Sequence, residues 1–189
     1  MNQLKFEIAS VAARFIVEDG ANYFEAKSKA LELMFKKNGA KINKKNLPNN
    51  FELEAAVKKH SILFFKTEYI ERLTELRRKA KDLMKVLETF NPLLIGSIAN
   101  EAVTRYSDIR VCCFTYSTKE IAIELLNKGF KTDSHVVKHP LHQDHVEALS
   151  FLWKKEEAII YALIHLESKV KLRGLDFMEL SELINKKKM

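Results

Sequence analysis

Cysteine, proline and glycine are all scarce in this 189-residue sequence, at two, three and five residues. So few turn formers argue against a loop-rich all-β sandwich and predict a helix-rich chain. The two cysteines, Cys112 and Cys113, are adjacent. Neighbours on a strand point to opposite sides, so they make a poor disulfide pair, and a reducing compartment is the default. No apolar run approaches the ~20 residues that span a bilayer; the longest, Ala158 to Leu166, is broken by His165. The opening Met1-Asn2-Gln3-Leu4-Lys5-Phe6-Glu7 carries an acid and lacks an apolar stretch followed by a small-residue cleavage site. That predicts a cytoplasmic protein with no membrane partner. A Walker-type loop, a Rossmann glycine fingerprint and a Ser-His-Asp order are missing as well.

What is present suits a folded domain. Hydrophobic residues make up 47% and charged residues 30%, which excludes global disorder. The net charge of +7 is unevenly spread: residues 1–90 hold 18 Lys and Arg against 12 Asp and Glu, whereas residues 91–189 hold 14 against 13. Two readings of the basic half follow. It is either a solvated helical surface or a face that meets phosphate, on a nucleotide or on RNA.

The pattern along the chain predicts an α+β protein, with a helical segment over 1–90 and a small mixed sheet with flanking helices over 91–189. Ile8, Val11, Ala12, Phe15 and Ile16 follow helical spacing, and Gly20 stops that helix. Asn22-Tyr23-Phe24-Glu25 reads as a capping box for a second helix with Ala26, Ala30, Leu33 and Met34 inside. Residues 36–50 form a polar connector, and Asn50 can cap a third helix carrying Leu53, Ala56, Val57 and His60. A fourth helix over 67–89 has Leu73, Leu76, Ala80, Leu83, Met84 and Leu87 as its stripe and Arg77, Arg78, Lys79, Lys81 and Lys85 on its outer face. After Asn91-Pro92 the period changes. Leu93-Leu94-Ile95 and Ile109 to Phe114 read as strands, and Ser117-Thr118 can cap a helix that Gly129 closes. Val146 to Trp153 and Ala158 to Leu166 suggest a hairpin about Lys154-Lys155-Glu156-Glu157. A last amphipathic helix uses Phe177, Leu180, Leu183 and Ile184.

The most informative stretch joins the first two strands. One strand ends in Gly96-Ser97, nine residues intervene, and Ser107-Asp108-Ile109-Arg110 opens the next. This arrangement resembles the signature of the nucleotidyltransferase superfamily, the group related to DNA polymerase beta, and a bacterial branch of it with an N-terminal helical segment. The resemblance implies a small mixed sheet on which glycine lets the backbone approach a phosphate. Neighbouring N–H groups and the serine hydroxyl would then donate to phosphate oxygens. It also implies carboxylates two residues apart on one strand, joined by a third from a later strand, holding Mg²⁺ for nucleotidyl transfer to an acceptor hydroxyl.

Gly96, Ser97, Ser107 and Asp108 match this motif, but Arg110 stands at the second carboxylate position. No carboxylate lies inside Ala158–Leu166, leaving Glu147, Glu157 or Glu167 as stand-ins. One carboxylate beside one arginine is a weak Mg²⁺ site, because the guanidinium repels the ion. Asp108 as a catalytic or metal residue therefore competes with two other readings. In one, Asp108 and Arg110 form an ion pair that orders the strand opening. In the other, Arg110 binds phosphate directly through its guanidinium fork, which permits nucleotide binding with transfer chemistry impaired. A different class of function is a non-enzymatic adaptor whose basic helix 67–89 engages RNA or an acidic protein.

A second cluster, His135, His139, His142 and His145, has spacings of three and four that suit a metal site on a helix. Pro140 interrupts any such helix, and a polar edge strand with a loop is the competing reading. Tyr23, Phe24, Phe64, Phe65, Tyr69, Phe114 and Tyr116 could stack on bases but mostly fit apolar faces, so they are expected in the core. Tyr106 is placed near a ligand.

Overall fold

The computed structural model describes residues 3–35, 47–140, 144–164 and 172–186, and its architecture is α+β. Helices α1 (Gln3–Asp19), α2 (Tyr23–Phe35), α3 (Asn50–Phe64) and α4 (Lys66–Val86) precede strands β1 (Leu93–Ile95) and β2 (Ile109–Phe114). Helix α5 (Thr118–Asn127), strands β3 (Asp133–Lys138), β4 (His145–Trp153), β5 (Glu156–Leu163) and β6 (Gly174–Leu175), and helix α6 (Phe177–Lys186) follow. The chain divides into two compact units, Met1–Leu73 with Glu101–Ser107, and Thr74–Asn100 with Asp108–Met189. The division falls within α4, and residues 101–107, between β1 and β2, group with the helices.

The first unit packs α1 against α2 and α3. Ile8, Ala12, Ala13, Ile16, Ala26, Ala30, Leu53 and Val57 are buried together, and the alanines let the helix axes approach closely. Asn22 and Glu25 form the expected reciprocal cap, the Asn22 Oδ1 accepting from the Glu25 N–H at 3.0 Å and Glu25 accepting from the Asn22 N–H at 3.3 Å. The third helix is capped by Asn49 instead of Asn50. Asn49 and Glu52 exchange two bonds of 2.8 Å, which requires a glutamate three residues on; Asn50 would find Leu53 there. Leu33, expected inside α2, is 61% exposed; Phe24, Phe64 and, in the second unit, Tyr116 are exposed as well, whereas Tyr69 is buried. Most of the 36–50 connector lies outside the described residues.

Gly20 ends α1 at φ +71°, a left-handed conformation that side chains rarely adopt. A Cβ there would stand 3.0 Å from the Tyr106 ring. The Tyr106 hydroxyl donates to the Glu18 carbonyl at 3.2 Å, and the Arg105 guanidinium donates to the same oxygen. Lys58 pairs with Glu101, whose carbonyl accepts from the Tyr69 hydroxyl at 3.0 Å. Loop 101–107 is thus tied to α1, α3 and the first turns of α4.

The second unit is a six-stranded mixed sheet in the order β3-β4-β5-β2-β1-β6. Its one parallel pair, β2 with β5, matches Arg110 to Ile159 and Cys112 to Tyr161; the remaining neighbours are antiparallel. Lys154 and Lys155, both at positive φ, make the two-residue turn between β4 and β5. Alternation assigns two faces. One carries Ile109, Val111, Cys113, Leu149, Trp153, Glu156, Ala158 and Ile160 and packs under α4 and α5. There the Trp153 indole N–H donates to the Lys79 carbonyl at 2.9 Å, and the Thr118 hydroxyl donates to Glu147 at 2.7 Å. The other face gathers Leu93, Ile95, Cys112, Ala148, Tyr161 and Leu163 into an apolar cluster.

The fourth helix runs over Lys66–Val86 rather than 67–89. A short 3₁₀ turn (Glu88–Phe90) and Asn91 in the left-handed region replace its last turn, just before Pro92. Its predicted stripe, Leu73 through Leu87, is buried throughout. Its basic face is not a continuous solvated row. Arg77 is buried, Lys79 pairs with Glu75 and with Glu156 (2.7 Å), and the Lys81 ammonium lies 5.3 Å from the Phe177 ring centre.

Candidate functional site

β1 ends in Ile95, which pairs with Arg110, so Gly96 is delivered beside the Arg110 side chain. Gly96 sits at φ +75°, and a Cβ added there would meet Arg110 Cδ at 3.3 Å. Glycine serves both the backbone turn and the close approach. The Gly96 carbonyl accepts from the Asn100 N–H at 3.0 Å, closing a tight turn with Ser97 as its second residue.

Asp108 and Arg110 project to the same side. Arg110 Nε donates to Asp108 Oδ1 at 2.9 Å and to Oδ2 at 3.0 Å, and its Nη2 donates to Oδ2 at 2.9 Å. This is a bidentate pair, the strongest geometry a guanidinium and a carboxylate adopt. It is also partly solvated, with the Arg110 side chain 45% and the Asp108 side chain 20% exposed. Gly96, Ser97, Asp108 and Arg110 thus occupy one end of the β1–β2 pair.

Ser107 does something else. It belongs to the helical unit, where its Oγ accepts from the Thr104 N–H at 3.0 Å and its carbonyl accepts from Arg72 Nη2 at 3.4 Å. Its hydroxyl closes a turn of its own loop. Tyr106, expected near a ligand, instead packs on Gly20 and bonds to the end of α1.

The register of β5 shows what flanks Arg110 on its own face. Ile159 lies directly across, and Tyr161 lies two residues further on. Neither is a carboxylate. Burial pushes the Tyr161 phenol above its ordinary pKa; Arg110 pulls it back down, while Asp108 and Cys112 push it up. Tyr161 is therefore within electrostatic reach of the pair, a neighbour that sequence spacing alone missed. Glu157 shares this face but is exposed, Glu147 lies on the opposite face and accepts from Thr118, and Glu167 lies outside the described residues.

This donor set does not fit Mg²⁺ as the family resemblance implies it. A hard cation wants several anionic oxygens, and both oxygens of Asp108 are engaged by a guanidinium whose charge opposes the ion. Among the described residues, no group of three or more histidine, cysteine, aspartate or glutamate side chains could hold a metal ion.

The histidines do not share one helix. His135 lies on β3 and pairs with Ala148, whereas His145 pairs with Lys138, three residues along the ladder. An odd offset sends their side chains to opposite faces of the sheet. The His139 N–H donates to the Asp144 carbonyl at 2.8 Å as the hairpin closes, and His142 lies outside the described residues.

No protein-family model matches this chain, and no curated protein matches it.

Proposed function

We propose that this chain is a nucleotidyltransferase-like protein that binds a nucleotide or another phosphate-bearing ligand through Arg110 and the Gly96-Ser97 turn, without metal-dependent transfer. The observation that carries the reading is the bidentate Asp108–Arg110 pair set against Gly96. A guanidinium that already holds two carboxylate oxygens has the fork geometry needed for two phosphate oxygens. Its 45% exposure leaves it open to exchange with solvent, and the adjoining glycine lets backbone come close to the same anion. The Ser97 hydroxyl is the natural second donor. The antiparallel β1–β2 pair joined to the parallel β2–β5 pair is compatible with the motif resemblance.

In this reading the fixed positive charge of Arg110 replaces the divalent ion. It can neutralise a phosphate, but it cannot bridge two reacting oxygens as a metal does. Binding without turnover is the expected behaviour. Thermal-shift titration with ATP, CTP, GTP and UTP, each with Mg²⁺ or with EDTA, tests this. Stabilisation by at least one nucleotide in EDTA is expected. A chain that none of the four stabilises overturns the proposal. Arg110→Asp restores the motif's second carboxylate and is expected to make any remaining nucleotide stabilisation depend on Mg²⁺.

A further inference from the structure

We infer that Asp108 is an internal competitor for the phosphate-binding guanidinium, occupying the fork of Arg110 until a ligand displaces it. The inference rests on the phosphate reading above and assigns Asp108 a role opposite to that of a metal ligand.

The geometry makes the competition direct. Nε and Nη2 of Arg110 form the side edge of the guanidinium, a fork able to receive two phosphate oxygens, and both are bonded to Asp108 at 2.9–3.0 Å. A bidentate ligand cannot use that edge while the carboxylate is on it, because two anions would share the same donors at contact distance. The pair is also local, spanning two residues of one strand opening, so displacing it requires no change in the sheet. The pair is partly solvated, so water can replace either partner as it opens. Asp108 is 20% exposed even while paired, so water is available to it once displaced.

The two roles predict opposite signs. A carboxylate that recruits Mg²⁺ strengthens nucleotide binding, and its loss weakens it. A carboxylate that masks Arg110 weakens binding, and its loss strengthens it.

Calorimetric titration of the full chain with inorganic pyrophosphate in EDTA separates them. Asp108→Asn keeps the shape and removes the charge, and it is expected to bind pyrophosphate at least threefold tighter than the unaltered chain. Arg110→Gln is expected to bind in neither background. If the unaltered chain binds pyrophosphate and Asp108→Asn binds it equally or more weakly, the masking role is overturned and the phosphate reading stands. If neither protein binds it, the phosphate reading falls and this inference falls with it.

A second measurement needs no variant. In carbon-13 and nitrogen-15 labelled protein, the Asp108 Cγ and Arg110 Nε resonances are expected to move together as pyrophosphate is added, reporting the exchange of partner. Movement of Arg110 alone, with Asp108 Cγ fixed, overturns the displacement.

Discussion

The two faces of the sheet each carry an ion pair, and the pairs differ in what surrounds them. Under the helices, Lys79 of α4 reaches Glu156 of β5 at 2.7 Å, with side chains 17% and 11% exposed. On the other face, Arg110 holds Asp108 with side chains 45% and 20% exposed. The first pair links residues far apart in sequence, while the second spans one strand opening. Desolvation works first against the Lys79 charge, but hydrogen bonds and attraction from Glu156 and Glu75 outweigh it and raise its pKa. A pair of that kind is part of the fold, because removing one partner strands the other's charge. The solvated pair can open at little cost to the fold, which is what an exchangeable anion site requires.

The sharpest division to test is between closed sheet and open pair end. Cys112 lies on the Arg110 face and Cys113 on the helix-covered face, and both are fully buried. Burial pushes the Cys112 thiol from 9.0 up to about 12, and the Cys113 thiol well above its ordinary value. A three-unit rise means about a thousandfold less thiolate at pH 8. Neither thiol is expected to react with Ellman's reagent in the native protein, and both are expected to react in denaturant. Rapid native labelling of Cys112 would show that the Arg110 face is open well beyond the pair. Because the Cys112 thiol stays protonated in the folded chain, the stability it contributes is present below pH 9 and is lost as pH rises from 9 toward 12.

The next largest effect separates the two pairs directly. Lys79→Met takes the Lys79 ammonium away from Glu156, itself 9% exposed. A loss of ~2–3 kcal/mol is expected, below the range for fully buried pairs because some solvent remains. In a chain this long that lowers the melting temperature by about 5–10 °C. A shift smaller than 2 °C would place both pairs in the same energetic class and remove the contrast.

Much of this arrangement was legible in the sequence, and the gaps have a common cause. Strand β2 falls on Ile109–Phe114 as its apolar run predicts, and the buried stripe of α4 follows helical spacing residue by residue. The Asn22 cap was readable because its chemistry is local. The approach of Gly96 to Arg110 follows from the β1–β2 register, in which Ile95 pairs with Arg110. What spacing could not give is information from a second element. Tyr161 enters the site only through the parallel register of β5 on β2. The opposite facing of His135 and His145 follows only from the β3–β4 register. Arg77 and Lys79 read as solvated cations along one helix, yet Arg77 is buried and Lys79 is paired across to the sheet.

A smaller effect tests the turn itself. Gly96→Ala puts a side chain at φ +75° and brings its Cβ to 3.3 Å from Arg110 Cδ. The left-handed conformation costs ~1–2 kcal/mol, and the crowded atom is the stem of a flexible side chain, so little is added. Urea denaturation should show that loss with an unchanged slope. Pyrophosphate binding should weaken more than stability does, because the displaced stem carries the fork with it. A variant that loses stability but binds normally would detach the turn from the anion site.

The smallest expected change in stability is at Arg110. Arg110→Gln breaks a bidentate pair, yet the partners are two residues apart and Asp108 regains water. Less than ~1 kcal/mol should be lost in urea denaturation. That near-neutrality is the other half of the contrast with Lys79, since a replacement that barely moves the fold should abolish pyrophosphate binding. If Arg110→Gln instead costs as much as Lys79→Met, the solvated pair is holding the sheet together. Arg110 would then belong to the architecture, and its loss of binding could no longer be read as loss of a ligand contact.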